Sequence, residues 1–126
     1  MSAQDLVLEF FKRLETTDYA QGRAAFAEMI TEDCHWANTG FPTAAGKEAC
    51  LATWDAFHQG FGFVGLRVET IAIAAANDTV VTERIDHLLN AAGETFLSIP
   101  LAGTLQVRDG KVCGWRDYFD PRPLLG

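Results

Sequence analysis

The sequence has little positive charge, few cysteines and no long hydrophobic run. Lysine and arginine together number 10, against 17 aspartate and glutamate residues, so the net charge is −7 at pH 7. Nucleic-acid binding needs clustered Lys and Arg to contact the phosphates, so we expect no nucleic-acid partner. Anionic membrane surfaces are disfavoured for the same reason.

The hydrophobic runs all fall far short of the roughly 20 residues that cross a bilayer. The N-terminal residues MSAQDLVLEF also lack the basic segment and apolar block of a signal peptide. We therefore expect no membrane segment and no membrane partner. Cys34, Cys50 and Cys113 form neither a CxxC pair nor a zinc-ligand spacing, and we expect three reduced, mostly buried thiols in a cytoplasmic protein.

What is present is the composition of a globular protein, with 48% hydrophobic and 21% charged residues in a chain of 126. This length predicts a single domain over residues 1–126. Apolar residues at helical spacing predict helices over about residues 3–16 and 47–59. A further helix between them is expected to start after Asp18, whose side chain can cap it.

The rest of the chain, from Gly65 onward, has the alternation and the β-branched content of strands. The pair Asp109 and Gly110 predicts a two-residue hairpin turn. Pro100 lies inside a strand pattern, where it removes a hydrogen-bond donor, so we expect a bulge or bend there. Helices followed by hairpin-linked strands predict an α+β fold, with three helices from the N-terminal half packed on one face of a curved, mostly antiparallel sheet.

Two stretches place charged residues inside predicted strands. Alternation along TERIDHL puts Arg84 and Asp86 on one strand face, and along GWRDYFD it puts Asp117 on the same face as Trp115. With a two-residue turn before its strand, Asp117 is expected opposite Ala102, whose small side chain leaves room beside the carboxylate. Each face of the TERIDHL strand carries charge, so at least one charged set is expected to point inward.

Two interpretations fit these charges. They can form an internal salt-bridge network or solvated charges on an exposed face, which is the more common role of an Arg-x-Asp pair in a strand. If they serve a site instead, an inward Arg84 must be matched by acids, because an unpaired buried charge is costly. Two acids around one arginine favour one retained proton, and an acid beside a carboxylate is the equipment of general acid–base catalysis.

The motifs TERIDHL, LSIPLAG and GWRDYFD closely resemble those of the limonene-1,2-epoxide hydrolases, within the nuclear-transport-factor-2-like and polyketide-cyclase-like superfamily. The similarity extends to HWANTG and to the first helix, and so covers most of the chain. It implies that the helices and the curved sheet enclose a deep, cone-like apolar pocket. It further implies an epoxide hydrolase that adds water to a lipophilic epoxide in one step, without a metal ion or an organic cofactor.

The resemblance also implies roles for individual residues. Asp117 acts as the general base on a water molecule, which the side chain of Asn38 helps to hold. Asp86 is protonated and donates to the epoxide oxygen, and Arg84 bridges the two acids. The family usually has a tyrosine two residues before the asparagine, as a third holder of the water. This sequence has Trp36 there, whose indole N–H can donate to a water but cannot accept from it.

The apolar residues near these motifs are the expected pocket walls. They are Trp36, Phe41, Phe57, Phe61, Phe63, Leu88, Ile99, Leu101 and Phe119. Each one alone is also compatible with ordinary core packing, but as a group they fit a cyclic or terpene-like epoxide. The resemblance implies, in addition, a homodimer that pairs through the open face of the sheet.

Other functions fit the same residues. A ketosteroid-isomerase-like or polyketide-cyclase-like enzyme needs an acid or base near a carbonyl, and Asp86 or Asp117 can serve. An epoxide-opening cyclase keeps both acids but uses a substrate hydroxyl in place of water. A non-catalytic, small-molecule-binding dimer module is the third alternative. The three histidines lie on separate predicted elements with no metal-ligand spacing, so we expect no metal site.

Overall fold

The computed structural model of the protein describes residues 1–125. The helices are α1 (Ala3–Leu14), α2 (Tyr19–Met29), α3 (Lys47–Phe61) and the short α4 (Arg122–Leu125). The strands are β1 (Ile30–Asn38), β2 (Ala44–Ala45), β3 (Gly65–Ala76), β4 (Thr79–Leu89), β5 (Thr95–Arg108) and β6 (Lys111–Tyr118). They form one sheet in the order β2-β1-β6-β5-β4-β3, in which only β1 and β6 pair in parallel. The predicted α+β class is confirmed.

Side-chain caps explain where the first two helices begin. Ser2 and Asp5 form a reciprocal capping box at the start of α1, in which the Ser2 hydroxyl accepts from the Asp5 backbone N–H at 3.0 Å. Asp18 caps α2 by accepting from the backbone N–H of Gln21 at 3.2 Å. The buried stripe of α1 includes Phe11, which reaches the inner face of the sheet.

The register shifts of the sheet lie at places other than Pro100. Register shifts interrupt the pairing of β3 with β4, of β4 with β5 and of β5 with β6. Pro100 pairs with Ile85 without a shift, so the predicted bulge at this proline is wrong. The pairing of β5 with β6 begins only at Ala102, and Pro100 therefore interrupts no ladder on that side.

The register of Asp117 also differs from the prediction. Asp109 and Gly110 form the expected two-residue turn between β5 and β6. Cys113 is then an extra residue in β6, because Val107 pairs with Val112 but Gln106 pairs with Gly114. The shift places Asp117 opposite Gly103, and the predicted partner Ala102 faces Tyr118 instead.

The sheet has a covered face and an open face. The helices pack on the inner face, where the core of buried apolar residues lies. The outer face carries exposed large side chains, among them Val81 and Tyr118. Within residues 1–125, no helix is both long enough and apolar enough to span a membrane.

Candidate active site

Arg84 and Asp86 of β4 point to the inner face of the sheet, whereas Glu83, which precedes Arg84 in the sequence, is exposed. Thr82, Arg84 and Asp86 are all buried, and Arg84 is 0% exposed. Asp117 on β6 is buried on the same side. Strand β5 separates β4 from β6, and its Gly103 pairs with Thr82 on one side and Asp117 on the other. Because Gly103 has no side chain, the polar side chains of β4 and β6 can meet across β5.

Arg84 joins the two acids and uses all five of its N–H donors. Its Nε and Nη2 donate to the two carboxylate oxygens of Asp86 at 3.2 and 3.0 Å. Its Nη1 and Nη2 donate to the two oxygens of Asp117 at 3.1 and 2.9 Å. The last donor, on Nη1, reaches the Thr82 hydroxyl at 2.9 Å. Each acid is therefore held rigidly against one side of the same guanidinium group.

In this cluster of Arg84, Asp86 and Asp117, burial and the neighbouring charges shift the pKa values in opposite directions. Burial raises the pKa of Asp117 to about 6, an effect that Arg84 opposes and Asp86 reinforces. The Trp115 indole donates to Asp117 at 2.8 Å and also favours the ionised carboxylate. Burial acts against the positive charge of Arg84 as well, but Asp117 and Asp86 outweigh it and raise the pKa of Arg84. The ring of Phe11, 4.6 Å from the guanidinium carbon, adds a cation–π contact.

Asn38 lies beside Asp117 because the parallel pairing of β1 with β6 sets the two residues opposite each other. Its backbone carbonyl accepts from the N–H of Phe41. Its side-chain amide has no hydrogen-bond partner in the part of the chain that the structure describes, and it borders the same cavity as the acids. An unused amide next to a carboxylate can position a water molecule.

The acids form one end of a cavity between the sheet and α3. Its volume is about 70 Å³, several times the space that one water molecule needs. Asn38, Asp86 and Asp117 are its polar lining residues, and all its other lining residues are apolar. Such a cavity, mostly apolar with a few convergent polar groups, is typical of a small-molecule site.

Comparison with known proteins agrees with this geometry. The family model described as the limonene-1,2-epoxide hydrolase catalytic domain matches residues 1–126. The chain belongs to the limonene-1,2-epoxide hydrolase family. It is 31% identical over 111 residues to the epoxide hydrolase EphG of Mycobacterium tuberculosis (strain ATCC 25618 / H37Rv), a match that covers 88% of this chain and 68% of EphG.

Solved structures show the same fold. A limonene-epoxide-hydrolase-like epoxide hydrolase of M. tuberculosis aligns with a TM-score of 0.73 and 25% identity, over 98% of this chain and 81% of its own. A protein from Jannaschia sp. CCS1 described as a "putative SnoaL-like polyketide cyclase" aligns with a TM-score of 0.70 and 18% identity, over 99% and 92% of the two chains. The second similarity shows only that the two proteins share a fold.

The cavity of this family member contains most of the predicted wall residues. The ones that line it are Trp36, Phe57, Phe61, Phe63, Leu88, Ile99, Leu101 and Phe119. Phe41 is not among the lining residues. Its ring packs against the rings of Phe57 and Phe61, which do line the cavity, at centroid distances of 5.1 and 6.3 Å.

Several residues of the site were not predicted from the sequence, although the sequence pattern indicates some of them. Trp54, Leu66, Trp115 and Leu124 also line the cavity. Trp54 belongs to the apolar stripe of α3, and Trp115 shares a strand face with Asp117. Thr82 has the same strand parity as Arg84 and Asp86, so alternation alone was sufficient to include it.

Gly103 leaves no room for a side chain at the site. A Cβ atom there lies 2.1 Å from Oδ1 of Asp117 and 2.6 Å from Nη1 of Arg84. Both neighbours are buried and hydrogen-bonded to each other, so neither can move without breaking the cluster. Glycine at this position is therefore needed for the two acids to share one arginine.

Gly103→Ala is expected to lower epoxide turnover by about 10²-fold or more and to destabilise the fold by about 1–3 kcal/mol, as overpacking does. Thermal melting and steady-state kinetics measure the two effects. Gly60→Ala is the matched control, because a Cβ atom there meets nothing within 4 Å and the position lies inside α3. An active, stable Gly103→Ala variant contradicts the close-approach argument.

Proposed function

We propose that the protein hydrolyses a lipophilic, cyclic or terpene-like epoxide to a diol by direct, one-step addition of water. The observation that supports this most is the buried cluster in which Arg84 bridges Asp86 and Asp117 at the end of an apolar cavity. Membership of the limonene-1,2-epoxide hydrolase family agrees with it. No metal ion or organic cofactor takes part in the proposed reaction.

The hydrogen bonds support a division of labour between the acids. The Asp117 carboxylate accepts three bonds, two from Arg84 and one from Trp115, whereas Asp86 accepts two, both from Arg84. Hydrogen-bond donors stabilise a carboxylate, so we assign the role of general base to Asp117 and the role of general acid to Asp86. Asn38 is the proposed holder of the attacking water.

In the proposed step, the water oxygen attacks one epoxide carbon while a water proton passes to Asp117. The carbon–oxygen bond of the epoxide breaks, and its oxygen takes the proton of Asp86. Neither a free hydroxide nor a free alkoxide forms, because both proton transfers accompany the attack. Each positioned acid or base contributes about 10²–10⁴-fold to such a rate. A return of the proton from Asp117 to Asp86 completes the cycle.

The test of this function is turnover of a panel of cyclic and terpene epoxides in ¹⁸O-labelled water. We expect diol that carries one solvent oxygen, and a pH profile of kcat/KM that falls on the acid side with a midpoint of about 6, where Asp117 is protonated. Trp115→Phe removes a donor to the ionised form and is expected to move this midpoint upward.

Each alternative function gives a different result in that experiment. An epoxide-opening cyclase forms a cyclic ether without solvent ¹⁸O. An isomerase changes the substrate without a gain of mass. A binding module turns over none of the panel, and that result contradicts the proposed hydrolysis directly.

We also propose that the protein is a homodimer that pairs through the open sheet face, where Val81 and Tyr118 are exposed. Sedimentation equilibrium is expected to give twice the chain mass of 13.8 kDa, and a monomer at micromolar concentration contradicts the proposal.

The free thiols of Cys34, Cys50 and Cys113 support a cytoplasmic location as a further proposal, which cell fractionation tests.

A further inference from the structure

The hydroxyl of Thr82 is a buried polar group that takes no part in the proposed reaction step. Thr82 is 6% exposed on the inner face of β4, but it is not among the residues that line the cavity. Its hydroxyl donates to the Gly103 carbonyl at 2.8 Å and accepts from Nη1 of Arg84 at 2.9 Å. The side chain thus connects Arg84 to the backbone of β5, away from the space in which a substrate binds.

The backbone of β5 fixes the direction of this hydroxyl. A threonine O–H rotates to suit its partners, and donation to the Gly103 carbonyl leaves the lone pairs of Oγ1 free to face Arg84. The donation also polarises the oxygen and makes it a stronger acceptor. The other four hydrogen bonds of Arg84 all go to the two acids. Thr82 is therefore the partner that can hold the guanidinium group without taking part in proton transfer.

The orientation of the guanidinium group decides how well it serves both acids. Its donors form a rigid, planar fork, of which Nε and Nη2 face Asp86 and Nη1 and Nη2 face Asp117. A turn of this plane that shortens the bonds to one acid lengthens the bonds to the other. Without the Thr82 hydroxyl, one N–H of a fully buried cation has no partner, which is costly. We expect the group to turn toward Asp117, the acceptor that Nη1 already contacts, and away from Asp86.

We propose that Thr82 is a positioning residue of the hydrolysis, which holds Arg84 in the orientation that serves both acids at once. It acts through Arg84 and contacts neither the substrate nor the reacting atoms. The effect on rate rests on the proposed hydrolysis. The fixed guanidinium group is a property of the protein without substrate, so the two proposals can fail separately.

Two variants separate the hydroxyl of Thr82 from its packing. Thr82→Val keeps the branched shape without the hydroxyl, and Thr82→Ser keeps the hydroxyl without the methyl group. For Thr82→Val we expect kcat for epoxide hydrolysis to fall by about 10–10²-fold, the effect of a misplaced catalytic group. KM is expected to stay within about twofold of the wild type, because Thr82 does not line the cavity. Thr82→Ser is expected to keep kcat within about threefold, since the hydrogen bonds remain.

Thr104→Val is the matched control. It makes the same chemical change on the outer face of β5, where Thr104 pairs with Val81 and Arg116, and is expected to leave kcat within about twofold of the wild type. Melting curves show that each variant is folded at the assay temperature. A packing role alone reverses the order and makes Thr82→Ser the slower variant. That order, or wild-type kcat in Thr82→Val, overturns the proposal.

Hydrogen exchange of the Arg84 side chain separates this inference from the proposed hydrolysis. In the ¹⁵N-labelled protein without substrate, the guanidinium N–H signals that are absent from Arg84→Lys belong to Arg84. We expect them to exchange with solvent at least about tenfold faster in Thr82→Val than in the wild type or in Thr82→Ser, because a hydrogen bond that protects them is lost. If no epoxide is turned over but this difference is present, Thr82 positions Arg84 and the hydrolase proposal fails. Equal exchange in Thr82→Val and the wild type refutes the positioning role even in an active enzyme.

Discussion

Asp117→Asn is expected to reduce kcat/KM for epoxide hydrolysis by about 10²–10⁴-fold, the usual contribution of a positioned general base. The variant keeps the size of the side chain and an oxygen that can accept from Trp115 and Arg84. It loses the negative charge that takes the proton of the attacking water. Initial rates of diol formation measure the loss, and circular dichroism shows whether the fold is retained.

Asp120→Asn is the matched control for this variant. Asp120 belongs to the same GWRDYFD motif, but it is exposed and pairs with Arg122 at the surface. Its replacement is expected to leave turnover within about twofold of the wild type. Wild-type activity in Asp117→Asn contradicts the role of Asp117 as base. An equal loss in both variants shows that the effect is not specific to the buried carboxylate.

Part of this site follows from sequence-level physics alone. Arg84 and Asp86 share a strand face by alternation, and the cost of an unpaired buried charge requires acids around the arginine. The hairpin signals predict that the strands containing Asp86 and Asp117 are separated by one strand. The contact between Arg84 and both acids was therefore one of two interpretations that the sequence supported.

The remaining geometry depends on pairings that residue types do not reveal. Nothing in the side chain of Cys113 marks it as the extra residue that moves Asp117 from Ala102 to Gly103. The parallel pairing of β1 with β6 joins segments far apart in the chain, so the hydrophobic pattern does not predict it. The position of Asn38 beside Asp117 was accessible only through resemblance to a family.

The Asn38 side chain is an unused hydrogen-bonding group that borders the cavity. Arg84 has no free donor, and the Thr82 hydroxyl both accepts from it and donates to the Gly103 carbonyl at 2.8 Å. The Asn38 amide has no hydrogen-bond partner among residues 1–125, and it lies beside the buried acids. A purely structural salt-bridge network has no need for such a free group, and this favours a site that binds and transforms a ligand.

Replacement of Arg84 is expected to have a large effect on stability as well as on activity. In Arg84→Met, two buried acids lose the cation that accounts for most of their hydrogen bonds. Removal of one partner from a buried ion pair costs about 3–5 kcal/mol, so we expect a loss of this size in the free energy of unfolding at pH 7. Denaturant unfolding measures the loss, and epoxide turnover is expected to disappear with it.

The pH dependence of that loss is the sharper test. Arg84 lowers the pKa of Asp117, which burial raises to about 6. Removal of Arg84 therefore raises the pKa of Asp117 above 6. The folded variant then retains a proton that the unfolded chain has already released, and its stability falls as pH rises through this range. We therefore expect Arg84→Met to be closest to the wild type near pH 5 and furthest from it near pH 8.

Two further variants separate charge from geometry. Arg84→Lys keeps the positive charge, so we expect it to recover much of the stability, but a lysine cannot bridge two carboxylates in parallel, and activity is expected to stay low. Arg23→Met removes a similar two-bond pair with Asp55 at the surface and is expected to cost about 0–1 kcal/mol. If Arg84→Met is as mild as Arg23→Met, or equally destabilised at every pH, then Arg84 does not hold two buried acids together. In that case the proposed sharing of one proton between Asp86 and Asp117 has no physical basis.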